Sequence, residues 1–217
     1  MKRRSPAEVA HRLERYGRLI ERYHRTLDLM SPAGVRNLDR HFAQAVRYAD
    51  LLEVLSPAPT RLIDVGSGVG LPGVVLAASF SGLEIELVER RRKRATFLRM
   101  AVAAVAPDGT DGRVTVHEGD VREVGGEPAD VIVAQAVAEL GQVLEWTRHR
   151  QAPTFVVVAR KGPAWQDEVA AVAAATGAAC DVLAAWPLEQ RGTLIAVRTQ
   201  RGRGRATEGG DGCRSSG

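Results

Sequence analysis

The chain has 217 residues, 45% hydrophobic and 26% charged, a balance that suits one well-filled globular domain with a modest extension. No apolar run is long enough to span a bilayer, and the MKRRS start lacks the apolar stretch of a secretion signal, so a cytoplasmic chain without a membrane partner is expected. The two cysteines, Cys180 and Cys213, fit neither a metal spacing nor a disulfide framework, and no metal is expected. Net charge is +4, but the basic residues gather at the ends: residues 1–50 hold eleven Lys/Arg against six Asp/Glu, and residues 201–217 hold four against two. The centre is mildly acidic. Basic flanks suit a polyanion such as RNA, and equally an ordinary solvated surface.

Taken in order, Val9, Leu13, Tyr16, Ile20, Tyr23 and Leu27 recur at spacings of three and four and predict an amphipathic helix over 6–29. Ser5 supplies its N-cap and Pro6 its first position. Arg15, Arg18, Arg22 and Arg25 form a stripe opposite the apolar one, either a solvated face or a track for a phosphate backbone. Ser31-Pro32-Ala33-Gly34 breaks the pattern, and a second helix is predicted over about 38–54. Pro57 and Pro59 then mark a boundary. This gives a basic helical cap over 1–56, a second domain over 57–199, and a disordered basic tail over 200–217.

Beyond the boundary, strands and helices alternate. RLIDVG, EIELVER, RVTVHEG, ADVIVAQ, TFVVVARKG and GTLIAVRT read as strands. LPGVVLAASF, KRATFLRMAVAAV, ELGQVLEWTRH and AWQDEVAAVAAAT read as helices. That rhythm predicts an α/β fold with a doubly wound sheet. Cys180 lies in an Ala-rich stretch and is expected to be buried; Trp146, Trp165 and Trp186 are expected to pack in cores or interfaces.

The stretch RLIDVGSGVGLPG, Arg61 to Gly73, carries the chemistry. A strand entering a glycine turn and then a helix is the opening of a nucleotide-binding unit. The dinucleotide pattern G-x-G-x-x-G wants glycine where Leu71 stands, beyond Gly66, Gly68 and Gly70. Asp64 is the sharper clue. A carboxylate repels a pyrophosphate but suits a ligand with an ammonium and a sulfonium, and S-adenosylmethionine (SAM) carries both. Glu89, at the end of the second strand, can accept from both ribose hydroxyls, a cue shared by NAD and SAM. Asp120, after the third strand, suits the adenine amino group, with apolar Val121 beside the ring.

DVGSGVGLPG, LVERRRKRATFLR, AQAVAEL, and ARKG followed by an acidic helix together resemble the bacterial glucose-inhibited division protein B family of 16S ribosomal RNA guanine-N7 methyltransferases. The resemblance covers about residues 10–198. It implies a Rossmann-like class I SAM-dependent methyltransferase, with a mostly parallel seven-stranded sheet and a small N-terminal helical cap. It also implies action on 16S rRNA or the 30S subunit, and a monomer is expected. Position by position, it places cofactor contacts at Gly66, Leu71, Val121, Arg122 and Gln135, and the glycine turn itself adds Ser67, Gly68 and Gly70 as cofactor candidates. It places substrate-positioning cations at Lys161 and Arg191, and gives His41 a part in RNA binding. The chain departs from the family pattern at Gln135, where arginine is usual, and at Arg122, where an acid is usual. It departs again at Asp28-Leu29-Met30 and Gln44-Ala45.

Guanine N7 is an unprotonated nucleophile on the major-groove edge, so in-line methyl transfer needs no general base. The scattered histidines and the absence of a placed nucleophile agree with that expectation. Two rival readings fit the same residues. One is a relative methylating another RNA or a small molecule. The other is a catalytically silent SAM- and RNA-binding module in ribosome assembly.

Overall fold

Ser5 begins the first helix by a reciprocal cap. Its Oγ accepts from the Glu8 N–H at 3.4 Å, and the Glu8 carboxylate accepts from the Ser5 N–H at 2.9 Å. The structure, a computed structural model, describes residues 1–106, 113–189 and 192–200. Helix α1 (Pro6–Tyr23) buries Val9, Leu13, Tyr16 and Ile20, as their spacing predicts. It stops short of the expected end because Asp28 turns left-handed (φ 51°) and the Leu29 N–H bonds back to His24 O. Leu29 is thereby buried and Arg25 falls beyond the helix. A short α2 (Pro32–Arg36), capped by the Ser31 hydroxyl, occupies the stretch expected as a break. Helix α3 (Leu38–Glu53) follows as predicted.

Strand β1 (Lys2–Arg3) is too short to leave a pattern in the sequence. Beyond the boundary prolines come β2 (Arg61–Val65), α4 (Gly73–Ser79) and β3 (Phe80–Ser81), which pairs antiparallel with β1. Arg4 is buried and donates to Ala77 O at 3.0 Å and to Phe80 O, so the amino-terminal segment is tied to the end of α4. The chain continues through β4 (Glu84–Glu89), α5 (Arg92–Val105), β5 (Val114–Glu118), β6 (Ala129–Gln135) and α6 (Leu140–Trp146). After a 3-10 turn at Arg148–Arg150 come β7 (Gln151–Lys161), α7 (Trp165–Thr176), β8 (Cys180–Pro187) and β9 (Thr193–Gln200).

The seven-stranded sheet has the order β5-β4-β2-β6-β7-β9-β8. Its first five strands are parallel; β9 runs antiparallel to both β7 and β8. Successive residues of each strand face opposite sides. Leu62, Leu87, Val133 and Val158 therefore join one core with α1, α3, α4 and α5. Ile63, Val88, Ile132 and Val157 join a second core with α6 and α7. The N-terminal helices share the first core with the sheet, so residues 1–56 pack directly onto the rest.

Other parts of the sequence reading also change. Gln200, assigned to the tail, ends β9, and residues 201–217 lie outside the described residues. Strand β8 escapes the sequence pattern because it is an edge strand with a register shift between Val182 and Ala184, which breaks its alternation. Cys180 is only half-buried, at the start of that strand, with Sγ 3.5 Å from Thr199 Oγ1.

Candidate active site

In an open parallel sheet, ligands meet the carboxyl ends of the strands where the order reverses. Here that place lies between β2 and β6, whose carboxyl ends are Val65 and Gln135. The glycine turn follows β2. Gly66, Gly68 and Gly70 all hold positive φ (68°, 59° and 103°), a region open to glycine and costly for side chains. A Cβ at Gly70 would also lie 2.8 Å from the Tyr16 hydroxyl, which donates to Val69 O. Helix α1 thus braces the turn from below.

A cleft of about 460 Å³ opens over this edge. Among the sequence-predicted residues it is lined by Gly66, Glu89, Asp120, Val121 and Arg122. Glu89 is buried: one carboxylate oxygen accepts from the Gly68 N–H at 2.9 Å, the other from the Arg91 N–H at 2.7 Å. The acid and the glycine turn therefore hold each other across the cleft floor. Asp120 is clamped by Arg122, whose Nε and Nη2 reach it at 3.0 and 2.7 Å, with Arg90 at 3.8 Å. The Arg122 hydrogen bonds, from side chain and backbone, hold the Asp120 carboxyl well below the usual carboxylate range. Arg122 is thus drawn back onto its neighbour.

The other predicted cofactor residues do not line the cleft. Asp64 is the main correction. Strand alternation turns its side chain into the first core, where it is 1% exposed and accepts from the Gly73 N–H at 3.2 Å. It caps the start of α4 and does not line the cleft. Burial pushes its carboxyl up to about 7. Ser67 is buried and donates to Asp64 O at 2.9 Å. Leu71 packs against the first core. Gln135 alternates away from Ala134 and Ala136, and lines neither this cleft nor its neighbour.

That neighbour is a hollow of about 330 Å³ at the carboxyl ends of β6 and β7. Ala136 and Val137 line both spaces and form their common wall. Lys161 lies in the hollow with its side chain 9% exposed. Its Nζ pairs with Glu168 at 2.6 Å and donates to Ala138 O at 2.9 Å. Its charge is engaged inside the protein, which changes the picture of a strand-end lysine reaching freely for phosphate. Arg191 lies outside the described residues.

Arg15, Arg18, Arg22 and Arg25 are all exposed. Arg18 pairs with Glu14, and the Arg22 guanidinium stands 5.4 Å from the Tyr23 ring centre. His41 is half-buried near Arg160, and burial together with Arg40 and Arg160 lowers its pKa. Sequence reasoning misses Arg94, Gln142 and Trp146, all on the cleft wall. Gln142 and Trp146 are four apart on α6, a spacing that puts both on one face. Arg94 donates to Asp28 O at 3.0 Å and so joins the turn after α1 to the cleft. Among the described residues no group of three or more His, Cys, Asp or Glu could hold a metal ion, and no helix is long and apolar enough to cross a membrane.

The cleft fits SAM on its own chemistry. Glycine backbone leaves room beside a buried acceptor, Glu89, and an apolar side chain, Val121, neighbours Asp120. Solved structures share this fold. A SAM-dependent O-methyltransferase from Thermotoga maritima has a TM-score of 0.53 at 17% identity, covering 74% of this chain and 66% of that one. An O-methyltransferase from Streptomyces achromogenes, in complex with SAM, has a TM-score of 0.52 at 16% identity, covering 87% and 90%. Among curated proteins, the ribosomal RNA small subunit methyltransferase G of Granulibacter bethesdensis is 36% identical over 163 residues, 75% of this chain and 72% of its own. That of Methylobacillus flagellatus is 33% identical over 172 residues, 77% and 78% of the two chains. The family model for GidB, rRNA small subunit methyltransferase G, matches residues 9–185. The chain is a class I SAM-dependent methyltransferase, and it belongs to the GidB family of rRNA small subunit methyltransferases G.

Proposed function

We propose that the protein methylates N7 of one guanine in 16S rRNA, acting in the cytoplasm as a monomer on the small ribosomal subunit or its RNA. The observation that carries this reading is the pair of spaces sharing the Ala136–Val137 wall, in a chain of this family. One space is suited to the cofactor and the other to a base. SAM supplies an electrophilic methyl group when bound. The protein's own part is to hold and orient. Glu89, Asp120, Val121 and Arg122 border the adenosine side, while Gly66, Ser67, Gly68, Gly70 and Leu71 shape the turn above the Asp64 cap. Gln135 stands at the end of β6 between these groups and Arg160, its register partner on β7. Lys161, with Arg191, positions the base. No side chain has to remove a proton, because N7 carries none. Arg15, Arg18, Arg22, Arg25 and His41, all on the N-terminal helical segment, engage the RNA backbone.

The test is methyl transfer from labelled SAM to unmethylated 30S subunits and to naked 16S rRNA, with the modified base mapped. Label at a single guanine N7 is the expected result. SAM binding without transfer to either substrate would sink the reading and turn the search to other RNAs, small molecules or a non-catalytic role.

A further inference from the structure

The Lys161–Glu168 pair is fixed to the wall of the hollow at both ends. The Glu168 oxygen that meets Lys161 also accepts from the Leu140 N–H at 2.8 Å, while Lys161 donates to Ala138 O. Both partners are thus tied to backbone at 138 and 140, directly beyond the wall shared with the cofactor cleft. Each keeps one capacity in reserve. An ammonium has three N–H donors, and two of those on Lys161 are engaged among the described residues. The second Glu168 oxygen, Oε1, has no hydrogen bond among the described residues. Glu139 and Arg160 also border the space, while Ala134, Val143 and Ala159 offer apolar surface for a flat ring. The space is at the small end of ligand pockets, sized for one base rather than a nucleotide chain.

A free donor beside a free acceptor can read the edge of a base. We infer that the Lys161–Glu168 pair selects guanine in this hollow: Lys161 donates to O6, and Glu168 Oε1 accepts from N1–H. The inference rests on the proposed function and adds the groups that tell guanine from other purines. Guanine carries an acceptor, O6, beside a donor, N1–H. Adenine carries the reverse, an amino donor beside the N1 acceptor. N7 adjoins O6 in guanine, so the nucleophile lies on the Lys161 side of the ring. Adenine turned to satisfy the same pair would put its N7 on the Glu168 side. The pair therefore controls both which purine enters and where its N7 points, the kind of edge reading used by enzymes that act on an extruded base. Glu168 is a specificity-determining residue in this scheme.

The experiment uses 30S subunits reconstituted with 16S rRNA carrying guanine, inosine or 2-aminopurine at the mapped target, under single turnover. Inosine keeps O6 and N1–H and loses the 2-amino group. 2-Aminopurine keeps the 2-amino group and N7, but has no O6 and an unprotonated N1. The wild-type protein should methylate inosine within about 3-fold of guanine and 2-aminopurine about 10- to 100-fold more slowly, the range for losing charge-assisted hydrogen bonds. Glu168→Gln keeps the shape and the acceptor for Leu140 but can present a donor to N1. It should slow guanine by a similar factor of about 10–100, narrow the guanine to 2-aminopurine ratio, and leave SAM affinity within about 2-fold. Equal rates on guanine and 2-aminopurine, or inosine as poor as 2-aminopurine, would overturn the inference. So would a Glu168→Gln protein with the wild-type base ratio. If that variant fails to fold, the wild-type analogue series decides alone. If the wild-type protein leaves the guanine substrate itself unmethylated, the proposed function fails instead, and the two failures are distinct.

Discussion

Asp64 sits under the glycine turn without solvent contact, between the Gly73 N–H and the core. Burial is the largest cause lifting its carboxyl from 3.8 to about 7, opposed by the hydrogen bonds from Ser67 and Gly73 and reinforced slightly by Glu89. The folded chain therefore keeps a proton that the unfolded chain releases between those two values. The sign follows from linkage: where the folded state binds more protons, stability falls as pH rises. Asp64 should cost increasing stability from pH 3.8 to about 7 and a constant amount above. The slope reaches at most about 1.4 kcal/mol per pH unit. Asp64→Asn keeps an acceptor for Gly73 and cannot ionise. Urea unfolding at pH 5 and pH 8 should show the variant gaining on the wild type by a few kcal/mol between the two, on the order set by that slope. A pH-independent difference would mean that Asp64 ionises in the folded protein as it does in the unfolded chain.

At the scale of elements, the loop joining β5 to β6 carries Asp120 and Val121 to the cleft, and Arg150 holds its far end. Arg150 is 1% exposed, donates to the carbonyls of Gly125 and Glu127 at 3.0 and 2.9 Å, and pairs with Glu86 at 2.6 Å. His117 meets the same Glu86 at 2.8 Å, so β4, β5 and the 3-10 turn converge on one carboxylate. Arg150→Met leaves that carboxylate with His117 alone and strands several buried carbonyls, and should cost about 3–5 kcal/mol in urea unfolding. Adding Glu86→Leu should return part of the loss, because the carboxylate that lost its arginine goes with it. An additive double variant would show that the two groups do not interact. None of this is visible in the sequence, where Arg148 and His149 read as the end of the helix ELGQVLEWTRH. The sequence exposes what has a period. Strand β6 and helix α5 are legible as runs of apolar residues that the structure buries. The pieces it hides are short or irregular: β1 and β3 have two residues each, α2 has five, and β8 is bulged at an edge. In the site, Glu89 and Gly66 are legible because strand ends and glycine turns have fixed spacing. The position of Asp64 needs strand alternation and the helices packed below it. Trp146 and Glu168 reach the site from α6 and α7, which only the tertiary fold brings to the sheet edge.

At the scale of the whole molecule, the basic stripe of α1 and the basic wall of the cleft, Arg90, Arg91 and Arg94, are linked through one turn. Helix α1 lays its apolar side against the first core and leaves Arg15, Arg18 and Arg22 outward, with Arg25 just past its end. The turn after it is joined by Arg94 to the wall of the cleft. A phosphate backbone following the stripe would therefore be led toward the cofactor side of the sheet. Because all four arginines are exposed, replacing them with glutamate should leave the fold and SAM affinity nearly unchanged, whereas RNA meets repulsion. The KM for 30S subunits should rise, and the salt dependence of methyl transfer should flatten by about 0.7–0.9 in log–log slope for each phosphate that the variant no longer neutralises. Titration of activity with KCl, alongside SAM binding by calorimetry, checks both halves. A wild-type salt slope in the reversed variant would make the stripe a solvated face. RNA steering would then have to come from the basic residues nearer the cleft, Arg90, Arg91 and Arg94.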